Sequence, residues 1–434
     1  MRSPSGEAGD RDRRVEYGVA TEEDQEELFQ LLHSVFRGSE DVLGRHRRAA
    51  TRDPHYKPEQ RHIVRVDGKI VGHVYTPHRV ARIGIARVDI GGIMWMGCAP
   101  GQQRKGYGRQ LMLGAVDYLR SQSCVASPLT ATLFDFYRPL GYEAYHEEAR
   151  TKISTLSLPE ESDARFSVRE YDPSDLPGLL SIYDEFYETW TGTICRSREY
   201  WEWLLEELGR DDLILIARDG NRMVGYAIYI ARDPANLRRD RSLWESATVH
   251  GYAKAYQPLL GELRRRLSQQ GVPELTLNLP MHHPMTSVVR GLGGTTELRQ
   301  SYSSGLTKMM KIVSLEAYLK GIIPELERRL ASSPLVDFRG ALRVVHSGEK
   351  FSAPDAATLH LEEGRIAVDD FPDVEDVVSG NERWIGATLV GYRGLSAACD
   401  QALVKVSSDR ARQLGSVLFP STHPWRSDLD NDTG

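Results

Sequence analysis

Apolar positions recur along the chain at two spacings, and the switches between them lay out its elements. Thr21 reads as a helix cap with Glu22, Glu23 and Asp24 in the first turn, and Leu28, Leu31, Leu32, Val35 and Phe36 follow at helical spacing. Arg45 to Glu59 is polar, carries Pro54 and Pro58, and reads as a loop. From His62 to Val74 the pattern becomes a hairpin: Ile63-Val64-Arg65-Val66, the turn Asp67-Gly68, then Ile70-Val71-Gly72. Ile83 to Val88 predicts a further strand. Ile93 to Cys98, short and apolar, predicts a buried one that Pro100 and Gly101 stop. Leu111, Met112, Ala115, Val116 and Leu119 fall on one stripe of the helix after it. Leu129 to Phe134 and Thr151 to Leu156 read as the remaining strands of this block. Together these elements predict a mixed α/β layer fold.

After a polar, acidic linker at Pro159 to Ala164 the pattern restarts. Phe166 to Arg169 is strand-like, and Asp172 to Asp175 opens a helix through Leu179, Leu180, Ile182 and Tyr183. Leu213-Ile214-Leu215-Ile216, Asp219-Gly220 and Met223-Val224-Gly225-Tyr226 repeat the earlier hairpin, with Val224-Gly225 in the place of Val71-Gly72. This marks an internal repeat. A third pattern begins near Lys311. Leu315 to Leu330 is helical with an interruption at Pro324, and Leu342 to His346, Ala357 to Leu361, Arg365 to Val368 and Ala402 to Val406 predict strands. Ser407-Ser408-Asp409 opens a short helix that Leu418-Phe419-Pro420 ends. The chain therefore divides into a tail at 1–14, a first domain at 15–158, a second at 159–310 and a third at 311–434.

Composition narrows the class. The 434 residues exceed a single core, and at roughly 100–200 residues per domain they predict two to four domains. A charged fraction of 27% and a hydrophobic fraction of 40% are ordinary for a globular protein. The net charge of −6 lacks the basic excess of a nucleic-acid binder and suits a cationic substrate. Cys98, Cys124, Cys195 and Cys399 lie far apart without metal-ligand spacing, so no metal is expected and a reducing, cytoplasmic setting fits. No apolar run approaches ~18 residues, so no membrane span is expected. Met1 to Arg14 is charged without an apolar core, and reads as a disordered tail rather than a secretory signal.

The chemistry concentrates between the buried strand and the striped helix, in Gln103-Arg104-Lys105-Gly106-Tyr107-Gly108. Gly106 and Gly108 let a ligand approach the backbone, and the amides there belong to a first helical turn without intrahelical partners. With Arg104, Lys105 and Arg109 beside them, these amides predict a site for phosphate. The second repeat reads Gly251-Tyr252-Ala253-Lys254-Ala255-Tyr256-Gln257-Pro258 at the same place, with no Gly-x-Gly and with a proline among the helix-start amides. It reads as a scaffold walling the substrate cleft. His282-His283, followed by Pro284 and lacking an acidic partner at ligand spacing, reads as a loop. Trp190, Trp201 and Trp203 suit either an amine pocket or a packed core.

Gln103, Gly106 and Gly108 after a strand resemble the acetyl-CoA signature of the GNAT N-acetyltransferases, Gln/Arg-x-x-Gly-x-Gly/Ala. The third domain resembles the sterol carrier protein-like fold in its strands, buried helical segment and terminal Leu-Phe-Pro. The order of the three resembles the Eis (enhanced intracellular survival) family over nearly the whole chain after residue 15, with motifs that are specific in the first domain. The resemblance implies an α/β (α+β) fold of two tandem GNAT-like mixed-sheet domains followed by a sterol carrier-like domain. It implies acetyl-CoA as co-substrate, with acetyl transfer to a primary amine of an aminoglycoside-like or polyamine molecule or of a lysine. It also implies a homo-oligomer, hexameric in the family. On the resemblance, the cofactor pyrophosphate belongs to Gln103, Arg104, Lys105, Gly106, Tyr107, Gly108 and Arg109, and the pantetheine arm to Met96, Gly97 and Cys98, with Thr132 and Leu133 beside it. Phe136-Tyr137-Arg138-Pro139-Leu140-Gly141-Tyr142 matches the family's segment for the general acid, which makes Tyr137 that acid; Tyr142 reads as a core aromatic. The family's base is the C-terminal carboxylate, here Gly434 at the end of a polar, acidic extension, with Asp428, Asp430 or water as alternatives. A non-catalytic acyl-CoA- or lipid-binding protein is the rival reading.

Overall fold

The computed structural model describes residues 13–36, 40–160, 163–209, 211–231, 241–299 and 307–432, and of residues 40–43, 45, 46, 431 and 432 the backbone alone. The tail expected at 1–14 falls outside these up to residue 12, and so does Gly434. The first block runs β1 (Val15–Val19), α1 (Gln25–Phe36), α2 (Glu40–Arg52), β2 (Arg61–Val66), β3 (Lys69–Tyr75), β4 (His78–Ile83), β5 (Ala86–Gly91), β6 (Met94–Cys98), α3 (Tyr107–Ser121), β7 (Ala126–Ala131), α4 (Phe134–Tyr137), β8 (Glu143–Ala144) and β9 (Glu148–Ser154). The second runs β10 (Phe166–Glu170), α5 (Leu176–Tyr187), α6 (Arg198–Glu206), β11 (Leu213–Asp219), β12 (Arg222–Ile230), β13 (Ser242–Thr248), α7 (Tyr256–Gln269), β14 (Glu274–Leu277), α8 (Pro284–Gly291), β15 (Thr295–Arg299) and β16 (Thr307–Ile312). The third runs α9 (Leu315–Gly321), α10 (Ile323–Ala331), β17 (Gly340–His346), β18 (Asp355–Glu362), β19 (Arg365–Asp369), β20 (Val377–Gly380), α11 (Glu382–Leu389), α12 (Leu395–Asp400), β21 (Val404–Val406), α13 (Asp409–Leu418) and α14 (Leu429–Asp432).

These strands form four sheets, ordered β1-β2-β3-β6, β4-β5-β7-β16-β8, β10-β11-β12-β13-β14-β9-β15 and β19-β18-β17-β20-β21. The fold is mixed α/β, as the pattern predicts. Two strands leave their own block. β9 lies between β14 and β15 of the second block's sheet, and β16 lies between β7 and β8 of the first. The exchange welds the two blocks, because each buries a strand of the other. The stripe Leu111, Met112, Ala115, Val116 and Leu119 of α3 is buried as its spacing predicts. Leu111, Met112, Val116 and Leu119 each contribute about 1.5–3 kcal/mol relative to exposure.

Several boundaries differ from the pattern. Arg45 to Arg52 is helix, not loop: α2 buries Ala49 and Ala50, and Arg47 reaches Glu26 of α1 at 2.9 Å. Ile83 to Val88 straddles a turn: Ile83 pairs with Ala86, and Gly84 reverses the chain at a φ of 56°. Glu325 holds that turn by accepting from the Ile85 N–H at 3.1 Å, a partner 240 residues away. The strand expected at Leu129 to Phe134 ends at Ala131, where its partner β16 begins with Thr307. Phe134 instead opens α4. Pro324 does interrupt the helix after Leu315, as the first turn of α10. β20, parallel to β17, joins the third sheet without a sequence signal of its own.

Candidate active site

Strands β6 and β7 touch once and part. The Ile93 N–H donates to Pro128 at 2.9 Å and bridges Leu129. From Met94 onward β6 pairs with β3 alone, while β7 continues against β16 on its other edge. Trp95, at a φ of 49°, bulges β6 where it diverges. The Ala99 N–H donates to Val71 at 2.8 Å, so strand alternation turns the Cys98 and Met96 N–H groups to the open edge. Unpaired amides along an open edge accept an extended ligand as an added strand. Met96, Gly97 and Cys98 are half-buried. At Gly97 a Cβ would meet Val35 of α1 at 2.5 Å, so only glycine lets α1 close over β6.

The loop from Gln103 to Arg109 stands at the end of that edge. Arg104 and Gly106, at φ of 63° and 89°, fold it back into α3. Among the described residues the N–H groups of Arg104, Lys105, Gly106, Tyr107 and Arg109 donate to no backbone carbonyl. A Cβ on Gly106 would meet nothing nearer than the Arg109 guanidinium at 3.7 Å, whereas one on Gly108 would meet Met96 Cε at 2.7 Å. The first glycine thus leaves an open face, and the second seats the helix against β6. Gln103, Arg104, Lys105 and Arg109 are exposed, and none of the three cations forms an ion pair among the described residues. The donor set suits a diphosphate. The third block reaches this loop: the Arg109 guanidinium lies 4.7 Å from the Phe351 ring, and the Phe351 N–H donates to Pro139 at 3.0 Å.

Tyr137 closes α4 at the same mouth, since Phe136 lies 3.6 Å from where a Gly108 Cβ would stand. The Tyr137 ring meets Phe136 and Tyr142 edge-on, at 4.9 and 6.0 Å. Burial pushes its phenol up to about 12. Its hydroxyl has no protein hydrogen-bond partner among the described residues, so it is free for a ligand. Tyr142 is different: it is fully buried, and its hydroxyl pairs with Ser127 Oγ at 2.8 Å. Thr132 and Leu133 are exposed in the turn between β7 and α4, with Leu133 69% exposed.

The C-terminal segment threads back between the first two blocks. His146 Nδ1 faces the Pro424 carbonyl at 3.0 Å, and the Trp425 N–H donates to Thr191 at 2.8 Å. Lys308, strand partner of Thr130 in β7, donates to the Arg426 carbonyl at 3.0 Å and to Asp428 at 2.8 Å. Asp430 is held on both oxygens by Arg196 at 2.9 Å. Asp428 is 30% exposed and accepts from Lys308 at 2.8 Å and from Asn278 at 3.4 Å.

Other candidates resolve into structure. His283 accepts from the Met285 N–H at 3.1 Å and faces the Ser246 carbonyl at 2.9 Å, which engages both ring nitrogens and caps α8. Burial holds its pKa down to about 3. Trp201 and Trp203 are core, while half-buried Trp190 packs on His282 at 4.6 Å. The sequence pattern marks neither Phe351 nor the cluster of Asp53, Arg61, Tyr75 and Arg79 behind Trp95. Their partners come from other elements, and no local motif joins them.

Comparison with known proteins follows this geometry. No curated protein matches the chain. Solved structures that share its fold include the following three. A GCN5-related N-acetyltransferase from Anabaena variabilis ATCC 29413 is 15% identical with a TM-score of 0.74, covering 95% of this chain and 99% of its own. One from Kribbella flavida is 18% identical at 0.72, covering 96% and 99%. Eis1 from Mycobacterium abscessus is 16% identical at 0.66, covering 95% and 99%. Residues 16–145, which hold the open strand edge, the glycine loop and Tyr137, match the family model of the acetyltransferase (GNAT) domain.

Proposed function

We propose that this protein is an acetyl-CoA-dependent N-acetyltransferase acting on a primary amine. The observation that carries the reading is the open edge of β6 ending on a loop whose amides at Arg104 to Tyr107 and Arg109 reach no backbone carbonyl, and whose cations form no ion pair, among the described residues. Acetyl-CoA bound there would supply the acetyl group as a thioester. Gln103, Arg104, Lys105, Gly106, Tyr107, Gly108 and Arg109 would hold its phosphates, and Met96, Gly97 and Cys98 its extended arm, with Thr132 and Leu133 at the rim. A β6 amide, turned to the open edge, offers a donor to a carbonyl oxygen that gains charge. Tyr137 keeps a proton at its hydroxyl for a departing sulfur. The Gly434 carboxylate, Asp428 or water takes the amine proton.

The direct test is amine-dependent release of free thiol from acetyl-CoA, screened over amino acids, polyamines, aminoglycosides and lysine peptides. The expected result is thiol formation that needs both the protein and an amine. Tight coenzyme binding without amine-dependent thiol would instead mark a non-catalytic acyl-CoA-binding protein.

The pH profile follows from Tyr137. The protonated phenol is the active form, and burial raises its pKa to about 12, so the proton is present across the neutral range and is lost only above it. Rate should therefore rise with pH as the acceptor amine loses its proton, with no fall attributable to Tyr137 below about pH 11. A descending limb near pH 9 to 10 that vanishes in Tyr137→Phe would refute this placement of the proton.

A further inference from the structure

Behind Trp95 lies a buried guanidinium with no carboxylate partner among the described residues. Arg61 opens β2 opposite Tyr75 and is 2% exposed. Among the described residues its Nε, Nη1 and Nη2 reach no acceptor at full hydrogen-bond geometry, and no carboxylate pairs with it. Four rings surround it instead: Tyr75 at 5.0 Å, Trp95 at 5.2 Å, Tyr56 at 5.5 Å and Phe29 at 6.0 Å. Burial disfavours its charge, and the Tyr56 and Tyr75 phenols offset only part of that, Tyr56 also as a weak acceptor for the guanidinium. The carboxylate of this cluster is already engaged, since Asp53 takes Arg79 at 2.6 Å and accepts from the Tyr75 hydroxyl at 3.5 Å. Arg79 in turn stacks on Tyr200 at 4.7 Å. Arg61, Arg79 and Asp53 together leave one positive charge in excess.

Cation–π contacts offset part of the cost of burying a guanidinium, but they satisfy none of its donors. A buried group left unsatisfied in a folded protein points to an ion or ligand that completes it. Its place says which ligand. On the acetyltransferase reading above, the coenzyme arm runs along β6 from Cys98 toward Met96, so the acetyl end arrives at the Trp95 bulge. The Trp95 ring, stacked on Tyr75 at 5.3 Å, is one wall of the Arg61 cage. The cage thus borders the place where the acceptor must stand.

We propose that the acceptor is a primary amine that also bears a carboxylate, and that Arg61 binds that carboxylate. The planar guanidinium fork matches a carboxylate in two parallel hydrogen bonds, and the aromatic walls pack the carbon skeleton between the two ends. A polyamine or aminoglycoside brings like charge to the same cage and is disfavoured there. In the transfer the amine nitrogen bonds the acetyl carbon as the carbon–sulfur bond breaks. One amine proton ends on sulfur, and the carboxylate is unchanged.

The test uses matched pairs, β-alanine against β-alaninamide and lysine against lysinamide, with spermidine and an aminoglycoside alongside. The acid of each pair should show a KM about 10- to 100-fold below its amide. Arg61→Met should erase that ratio through KM, with kcat little changed, and Arg61→Lys should restore part of it. Calorimetric binding of acetyl-CoA to each variant reports an intact first block. Should Arg61→Met not fold, Arg61→Lys and β-alanine binding to the coenzyme-loaded parent carry the test. Amides or polyamines preferred by the parent, or an acid-to-amide ratio unmoved by the substitutions, would overturn the proposal and leave the acetyltransferase reading standing. Acetyl-CoA binding with no amine acetylated would overturn both.

Discussion

Tyr137→Phe should lower kcat by about 10²–10⁴-fold while acetyl-CoA still binds as in the parent. The substitution removes one oxygen and keeps the ring, so the edge-on contacts with Phe136 and Tyr142 persist. The lost hydroxyl pairs with no protein group among the described residues, so its removal orphans no donor or acceptor in the fold. What disappears is the proton held beside the open end of β6. Steady-state thiol release and calorimetric binding separate the two effects. Unchanged turnover would take Tyr137 out of the chemistry, and a parallel loss of coenzyme binding would make it a packing residue.

Arg196→Ala should have the largest effect on stability, about 3–5 kcal/mol, read as a lower melting temperature. Arg196 is fully buried, holds Glu245 at 2.9 and 2.7 Å, and holds Asp430 at 2.9 Å through two nitrogens. It also lies over Tyr183 at 4.3 Å and Trp201 at 4.4 Å. Its loss leaves Glu245 buried with the Tyr226 hydroxyl at 2.8 Å as its remaining donor, and it frees the C-terminal segment at Asp430. Arg165→Ala is the control, because its pair with Asp219 is exposed and screened by water. Equal melting of the two variants would show that the buried cluster does not anchor the segment.

Much of the first block is legible in its residues because the signals are local. Asp67 and Gly68 take φ of 51° and 82°, the mirror-image turn that such a pair supports between two strands. The apolar stripe of α3 and the capping pair Thr21 and Asp24 are legible in the same way. Short motifs nominate the glycine loop and Tyr137 in the same local way. α2 escaped because alanines give a weak period, and Gly84 because its turn depends on a carboxylate from α10. Arg61 looks like an ordinary strand-opening residue until Phe29, Tyr56, Tyr75 and Trp95 converge on it.

Local spacing thus set which faces are apolar, where the chain turns, and where unpaired amides meet positive charge. It did not choose neighbours. β9 and β16 carry patterns that would suit a sheet of either block, and only assembly sends each to the other. An apolar face records that something must cover it, while the identity of the cover depends on all the strands competing for that edge. The same holds for charge. Whether a buried guanidinium meets a carboxylate, as Arg196 does, or is walled by rings, as Arg61 is, is decided by side chains that adjoin it only in the folded molecule.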